Sequence, residues 1–156
     1  MPDATLRSNL GIDAAVKTML GGNVVEATVE VAAAAADGTE HRMMRLPLAA
    51  RIHGLSEIRF DDLASTGSPT LDIGFAPVNS NFTKDADAMN DGIDCATAAG
   101  SARMIKDHAN YGKQVWEFIS GATATTQGFA DLIVTVKDAA VNTGGTVTVV
   151  VAYSID

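Results

Sequence analysis

The stretch Asn23-Val24-Val25-Glu26-Ala27-Thr28-Val29-Glu30-Val31-Ala32-Ala33 alternates. Val25, Ala27, Val29, Val31 and Ala33 fall on one side, and Glu26, Thr28 and Glu30 on the other. A period of two is that of an extended chain with one dry face and one wet face, so the stretch predicts a β-strand. Residues 32–36 would favour helix by propensity alone. Asp37-Gly38 follows them, however, and a D-G pair between two strand-like runs predicts a hairpin. The return strand is expected over residues 40–46, with Pro47 as its stop.

The same alternation recurs downstream. Residues 51–63 read as one strand with Ile58 and Phe60 inward, and with a bulge near Gly54-Leu55 to restore the register. Residues 70–76 place Leu71, Ile73 and Phe75 inside and Asp72 and Gly74 outside. Residues 78–100 are irregular and acidic, and they predict a long surface excursion with a short helix or strand near residues 86–89. Residues 101–106 read as a weak strand and Asn110-Tyr111-Gly112 as a turn. Residues 113–120 read as a strand carrying Gln114, Trp116 and Phe118 on one face. Leu132, Val134 and Val136 mark a further strand, joined through Asn142-Thr143-Gly144-Gly145 to a last one bearing Val147, Val149, Val151, Tyr153 and Ile155. Eight or nine one-sided strands with turn signals between them predict an all-β, two-sheet β-sandwich, jelly-roll-like, with no fixed-period repeat.

Residues 1–22 differ. Leu6, Leu10, Ile12, Val16, Met19 and Leu20 are unevenly spaced among polar residues, and Gly21-Gly22 ends the pattern. They are expected to form an extended N-terminal arm beside a single domain at 23–156. One reading is a mobile end; the other is an arm that orders against a neighbouring subunit, which makes those six apolar residues the candidate self-association interface.

The 156 residues suit one ordinary domain. The composition is 47% hydrophobic but 5% aromatic, so the core must be assembled from many small side chains. Nineteen acidic residues against 11 scattered basic ones give a net charge of −8, which disfavours nucleic acid and anionic membranes as partners. No run is long and apolar enough for a membrane span, and the Met1-Pro2-Asp3-Ala4 start lacks a signal-peptide pattern, so synthesis and folding in a cytoplasm are expected. Cys95 is the only cysteine, which excludes an internal disulfide and reads as a small buried apolar residue.

Chemistry-bearing patterns are sparse. Asp85, Asp87, Asn90, Asp91 and Asp94 offer oxygen ligands for calcium, but with Gly92 as the sixth loop position Met89 and Ala98 fall where ligands belong. A solvated acidic loop is the plainer reading. His41, His53 and His108 lack metal-ligand spacing. There is no G-x-S-x-G, and neither double glycine has the spacing of a nucleotide-binding loop. The expectation is no enzyme, no metal and no cofactor. Trp116, Phe118 and Tyr111 admit a sugar platform, although a lone Trp in phase with Phe118 reads first as a core anchor.

Several segments taken in order resemble small virion proteins of tailed bacteriophages. They are Met43-Met44-Arg45-Leu46-Pro47, Ala50-Arg51-Ile52-His53, Asp61-Asp62-Leu63-Ala64, Leu71-Asp72-Ile73-Gly74-Phe75, the acidic run from Asp85 to Asp94, the Trp116-Glu117 segment and the closing Val149-Val150-Val151-Ala152-Tyr153. The resemblance spans about residues 40–156. It implies a head decoration or cement protein on the outer surface of an icosahedral shell, stabilising that shell, with the major capsid protein as partner, homotrimers favoured and the virion as location. The competing readings are a carbohydrate-binding or host-attachment module of a tail or fibre, and a small hydrolase or metalloenzyme.

Overall fold

The computed structural model describes residues 22–155. The described residues form nine strands: β1 (Gly22–Val31), β2 (Glu40–Pro47), β3 (Ala50–Ile52), β4 (Glu57–Phe60), β5 (Thr70–Pro77), β6 (Asp85–Asp94), β7 (Gly100–Arg103), β8 (Phe129–Lys137) and β9 (Gly145–Ile155). One sheet has the order β1-β9-β4-β7, with β3 also paired to β9, and the other has the order β2-β8-β5-β6. All pairings are antiparallel. With β3 and β4 taken as two pieces of one strand, eight strands divide four and four between two sheets in jelly-roll order, and the chain changes sheet at every connection except β5 to β6. The all-β sandwich expected from the alternation is the fold observed.

The dry faces meet as predicted. Leu71, Ile73 and Phe75 of β5, Leu132, Val134 and Val136 of β8, and Val147, Val149 and Val151 of β9 are all fully buried. Each such side chain contributes about 1.5–3 kcal/mol relative to exposure. Aromatic rings are few; Phe75 packs against Phe118 with centroids 5.8 Å apart. Cys95 is buried, its Sγ–H donates to the Pro69 carbonyl at 3.3 Å, and burial pushes the thiol up to about 11.

The hairpin expected at Asp37-Gly38 does not form. β1 and β2 lie in opposite sheets, and so do β8 and β9. Asp37-Gly38 does make a tight turn, with Thr39 N–H on Ala36 O at 3.0 Å and Gly38 at φ 88°. The turn docks on β8 through Gly38 N–H to Val136 O at 2.8 Å, so it starts β2 beside β8 and does not fold it back on β1. The strand also stops at Val31, and Ala33 lies outside it. Asn142-Thr143-Gly144-Gly145 likewise carries the chain from one layer to the other.

Residues 51–63 form two strands. Ile52 faces Tyr153 and Glu57 faces Val150, so β4 resumes on β9 after two extra residues. The interruption is a turn closed by Ser56 N–H to His53 O at 3.0 Å, larger than the bulge expected at Gly54-Leu55. The buried Ser56 hydroxyl repairs the ladder: it accepts from Ala152 N–H at 3.0 Å and donates to Ala152 O at 3.2 Å.

Residues 113–120 are not a strand. Val115–Phe118 is a short 3₁₀ helix, because the Glu117 carboxylate accepts the Gln114 N–H at 2.7 Å and Gln114 Oε1 accepts the indole N–H at 2.9 Å. Trp116 is half-buried against the core, with its main-chain N–H on Leu48 O at 3.1 Å. The Asp85–Asp94 stretch, expected as a loop, is strand β6.

Candidate interaction surface

Each sheet ends in two edge strands, and three of the four edges are disturbed. β2 shifts register between Arg42 and Met44. β6 shifts twice against β5. β7 is four residues long. β1 keeps an unbroken ten-residue register with β9, from Gly22 opposite Ser154 to Val31 opposite Gly145. No other described strand pairs with it.

The inner side of β1 is incompletely covered. Val25 is 37% exposed, and Ala27 and Val29 are half-buried against the core, as are Met43 and Met44 on β2 across the layers. His41 shares that side, and its buried Nε2 has no hydrogen-bond partner among the described residues; burial lowers its pKa. On the outer side Val24 is 58% exposed, Thr28 bonds Thr148 at 2.8 Å, and Glu26 and Glu30 are exposed.

The outer face of the opposite sheet is closed by its own chain. Asp72 and Gly74, expected to be wet, are buried, and so are Ile133 and Thr135. A Cβ on Gly74 would stand 2.0 Å from Asp85 O, so the main chain at residues 85–86 lies directly on this face. Lys84 reaches across to pair with Glu40 on β2. Beside this strap Asp131 is held by Arg42 Nη1 and Arg45 Nε, each at 2.7 Å. The Arg45 hydrogen bond, aided by Arg42, keeps the Asp131 carboxyl below its usual range.

The acidic stretch is dispersed. Lys106 pairs with Asp91 at 2.6 Å and holds its pKa down. Asp94 accepts from the Thr97 hydroxyl at 2.6 Å and from Ala96 N–H at 2.9 Å. Burial raises Asp72, which accepts Gly92 N–H at 2.9 Å; burial and a shared hydrogen bond with Asp87 raise Asp85. Among the described residues no group of three or more His, Cys, Asp or Glu is placed to hold a metal ion.

His53 and His108 meet in a shallow hollow of about 540 Å³, lined also by Gly54, Leu55, Arg103 and Tyr111. The Tyr111 ring lies on Gly54, where a Cβ would come within 2.6 Å of it, and His108 meets that ring edge-on at 5.0 Å. Leu55 stands 75% exposed at the rim. The sequence singled out Tyr111 but had no signal for this grouping, which depends on the turn between β3 and β4. Leu6, Leu10, Ile12, Val16, Met19 and Leu20 lie outside the described residues.

No family model matches the chain, and no curated protein matches it. Its fold recurs in phage capsids. A chain of the Ralstonia phage GP4 capsid aligns with a TM-score of 0.60 at 20% identity, over 86% of this chain and 85% of that one. A chain of the cyanophage Pam1 capsid asymmetric unit aligns with a TM-score of 0.55 at 18% identity, over 87% of each. At these identities the likeness is one of fold. No helix among the described residues is long and apolar enough to cross a membrane.

Proposed function

We propose that the protein is a structural component of a phage head, a decoration or cement subunit that binds the major capsid protein on the outer surface and stabilises the shell. The observation that carries this reading is the fold-wide likeness, over more than four fifths of the chain, to chains in two phage capsids. The net charge of −8 supports an outer position, because an acidic subunit facing packaged DNA would be repelled by it. The apolar residues of the N-terminal arm, Leu6, Leu10, Ile12, Val16, Met19 and Leu20, together with the β1 side of the sandwich, supply the gripping surface. A trimer would add avidity, since each weak contact then acts in concert with two others. The test is the temperature at which purified shells lacking the protein burst, with and without the protein added back. Added protein is expected to raise it, and an unchanged burst temperature refutes the proposal.

A second reading, a sugar-binding module, is favoured by the hollow around Tyr111, which combines a ring with Arg103 and two histidines. Binding to a host-surface glycan array that is lost on Tyr111→Ala would support it.

A further inference from the structure

β1 is the one long edge in the described sandwich with an unbroken register, and only the charges of Glu26 and Glu30 guard it. Sheet edges are ordinarily blunted by bulges, by proline, by lysine or by shortness, because an open row of N–H and C=O groups templates another strand. β2 is bulged and ends at Pro47, β6 is bulged twice, and β7 is short. β1 runs ten residues without a register shift, a proline or a lysine. Its inner side is incompletely covered: Val25, Ala27 and Val29, with Met43 and Met44 of β2, are all left partly exposed.

We infer that the edge of β1 from Val24 to Val31 accepts an extended segment of the shell subunit as an added strand, one with Lys or Arg at two positions four residues apart and small apolar residues between them. This rests on the cement reading and names the partner chemistry of that site. Alternation dictates the pattern. Residues on the incoming strand that face Val25, Ala27 and Val29 must be apolar to cover them, and those on the opposite face meet Glu26 and Glu30. Both glutamates are exposed and neither has an ion pair among the described residues. They lie about 13 Å apart along the strand, which sets the spacing of the basic residues. The same two charges argue against a second copy as occupant. Two β1 edges paired antiparallel about Thr28 place Glu26 opposite the partner's Glu30, and like charges directly opposite destabilise a ladder.

The experiment uses the full chain and purified shells that lack it. Wild-type protein attached to shells is treated with a zero-length carbodiimide, and crosslinks are mapped by mass spectrometry. Glu26 or Glu30 joined to a lysine of the shell subunit is the expected product; their joining to Lys17 or to a second copy overturns the inference. In parallel, Glu26→Lys/Glu30→Lys is expected to attach roughly tenfold more weakly. Glu26→Gln/Glu30→Gln should fall between it and wild type, and both variants should melt as wild type does. Attachment of the charge-reversed protein at wild-type strength overturns the inference and leaves the cement reading standing. Wild-type protein that does not attach at all removes both.

Discussion

Asp131 shows how one buried charge is made tolerable. Its side chain is 6% exposed, and two arginines from the neighbouring strand meet both carboxylate oxygens. Its partners are themselves largely exposed, so Asp131→Ala leaves no buried cation behind. The expected loss is about 1–3 kcal/mol, read from denaturant midpoints. Gly74 has a different task. A methyl group there meets the main chain of residues 85–86, which cannot yield as a flexible side chain would. Gly74→Ala is expected to cost about 2 kcal/mol or more, and to speed amide exchange where Phe75 pairs with Asp85. Trp116, packed on the core with its N–H held by Gln114, should be quenched by acrylamide only weakly. These roles differ in how far the sequence shows them. Arg45 and Asp131 are 86 positions apart, and only the β2–β8 register brings them together.

At the scale of elements, β9 is the spine of its sheet: it pairs with β1 on one side and with β3 and β4 on the other. The break between β3 and β4 costs two ladder positions, and Ser56 covers the resulting gap. Ser56→Ala leaves Ala152 N–H buried without that acceptor, so a loss of about 1–3 kcal/mol is expected in chemical denaturation, with faster exchange at Ala152. The strand periods were legible. β1, β2, β5, β8 and β9 all lie where alternation put them, because every second residue of each faces the core; in β5 and β8 the residues between are buried as well, by chain that covers the outer face. The strand expected at residues 113–120 failed since Trp116 and Phe118 also sit two apart in a tight helical turn. Spacing over so few residues does not separate the two conformations.

For the whole molecule, the carboxylates pull stability in two directions with pH. Asp61, Asp91, Asp94 and Asp131 have lowered pKa values; their contribution is present above the unfolded pKa and is lost as pH falls through the folded ones. Asp72 and Asp85 have raised values, so the strain of keeping them charged is relieved as pH falls through their folded pKa. Burial lowers the pKa of His41, so its contribution is lost as pH falls below the ordinary imidazole value of 6.5 and opposes that relief; the melting temperature is therefore expected to change little from pH 7 to about pH 5 and to drop below about pH 4. Asp72→Asn removes part of the relief and should make the acid loss steeper, and thermal melts from pH 7 to about pH 3 check both. If the cement reading holds, deleting residues 1–20 should weaken attachment to shells while leaving that pH profile unchanged, as seen by co-sedimentation and by the same melts.

Residues 22–155 carried their architecture in local terms: which side of each strand is apolar, where Gly and Pro interrupt, and how little helix there is. That was enough for a two-sheet all-β sandwich. Strand partners were another matter. Alternation reports that a face is buried and is silent on which strand lies alongside, and the entropy of closing a longer loop grows slowly with its length, so a sequence neighbour has little claim over a distant one. Closing two layers at once sent β1 and β2, and β8 and β9, to opposite sheets. The same closure put residues 85–86 over Gly74 and drew His53, His108 and Tyr111 into one hollow. It left β1 as the smooth open edge, since an edge is defined only once every other strand has found its place.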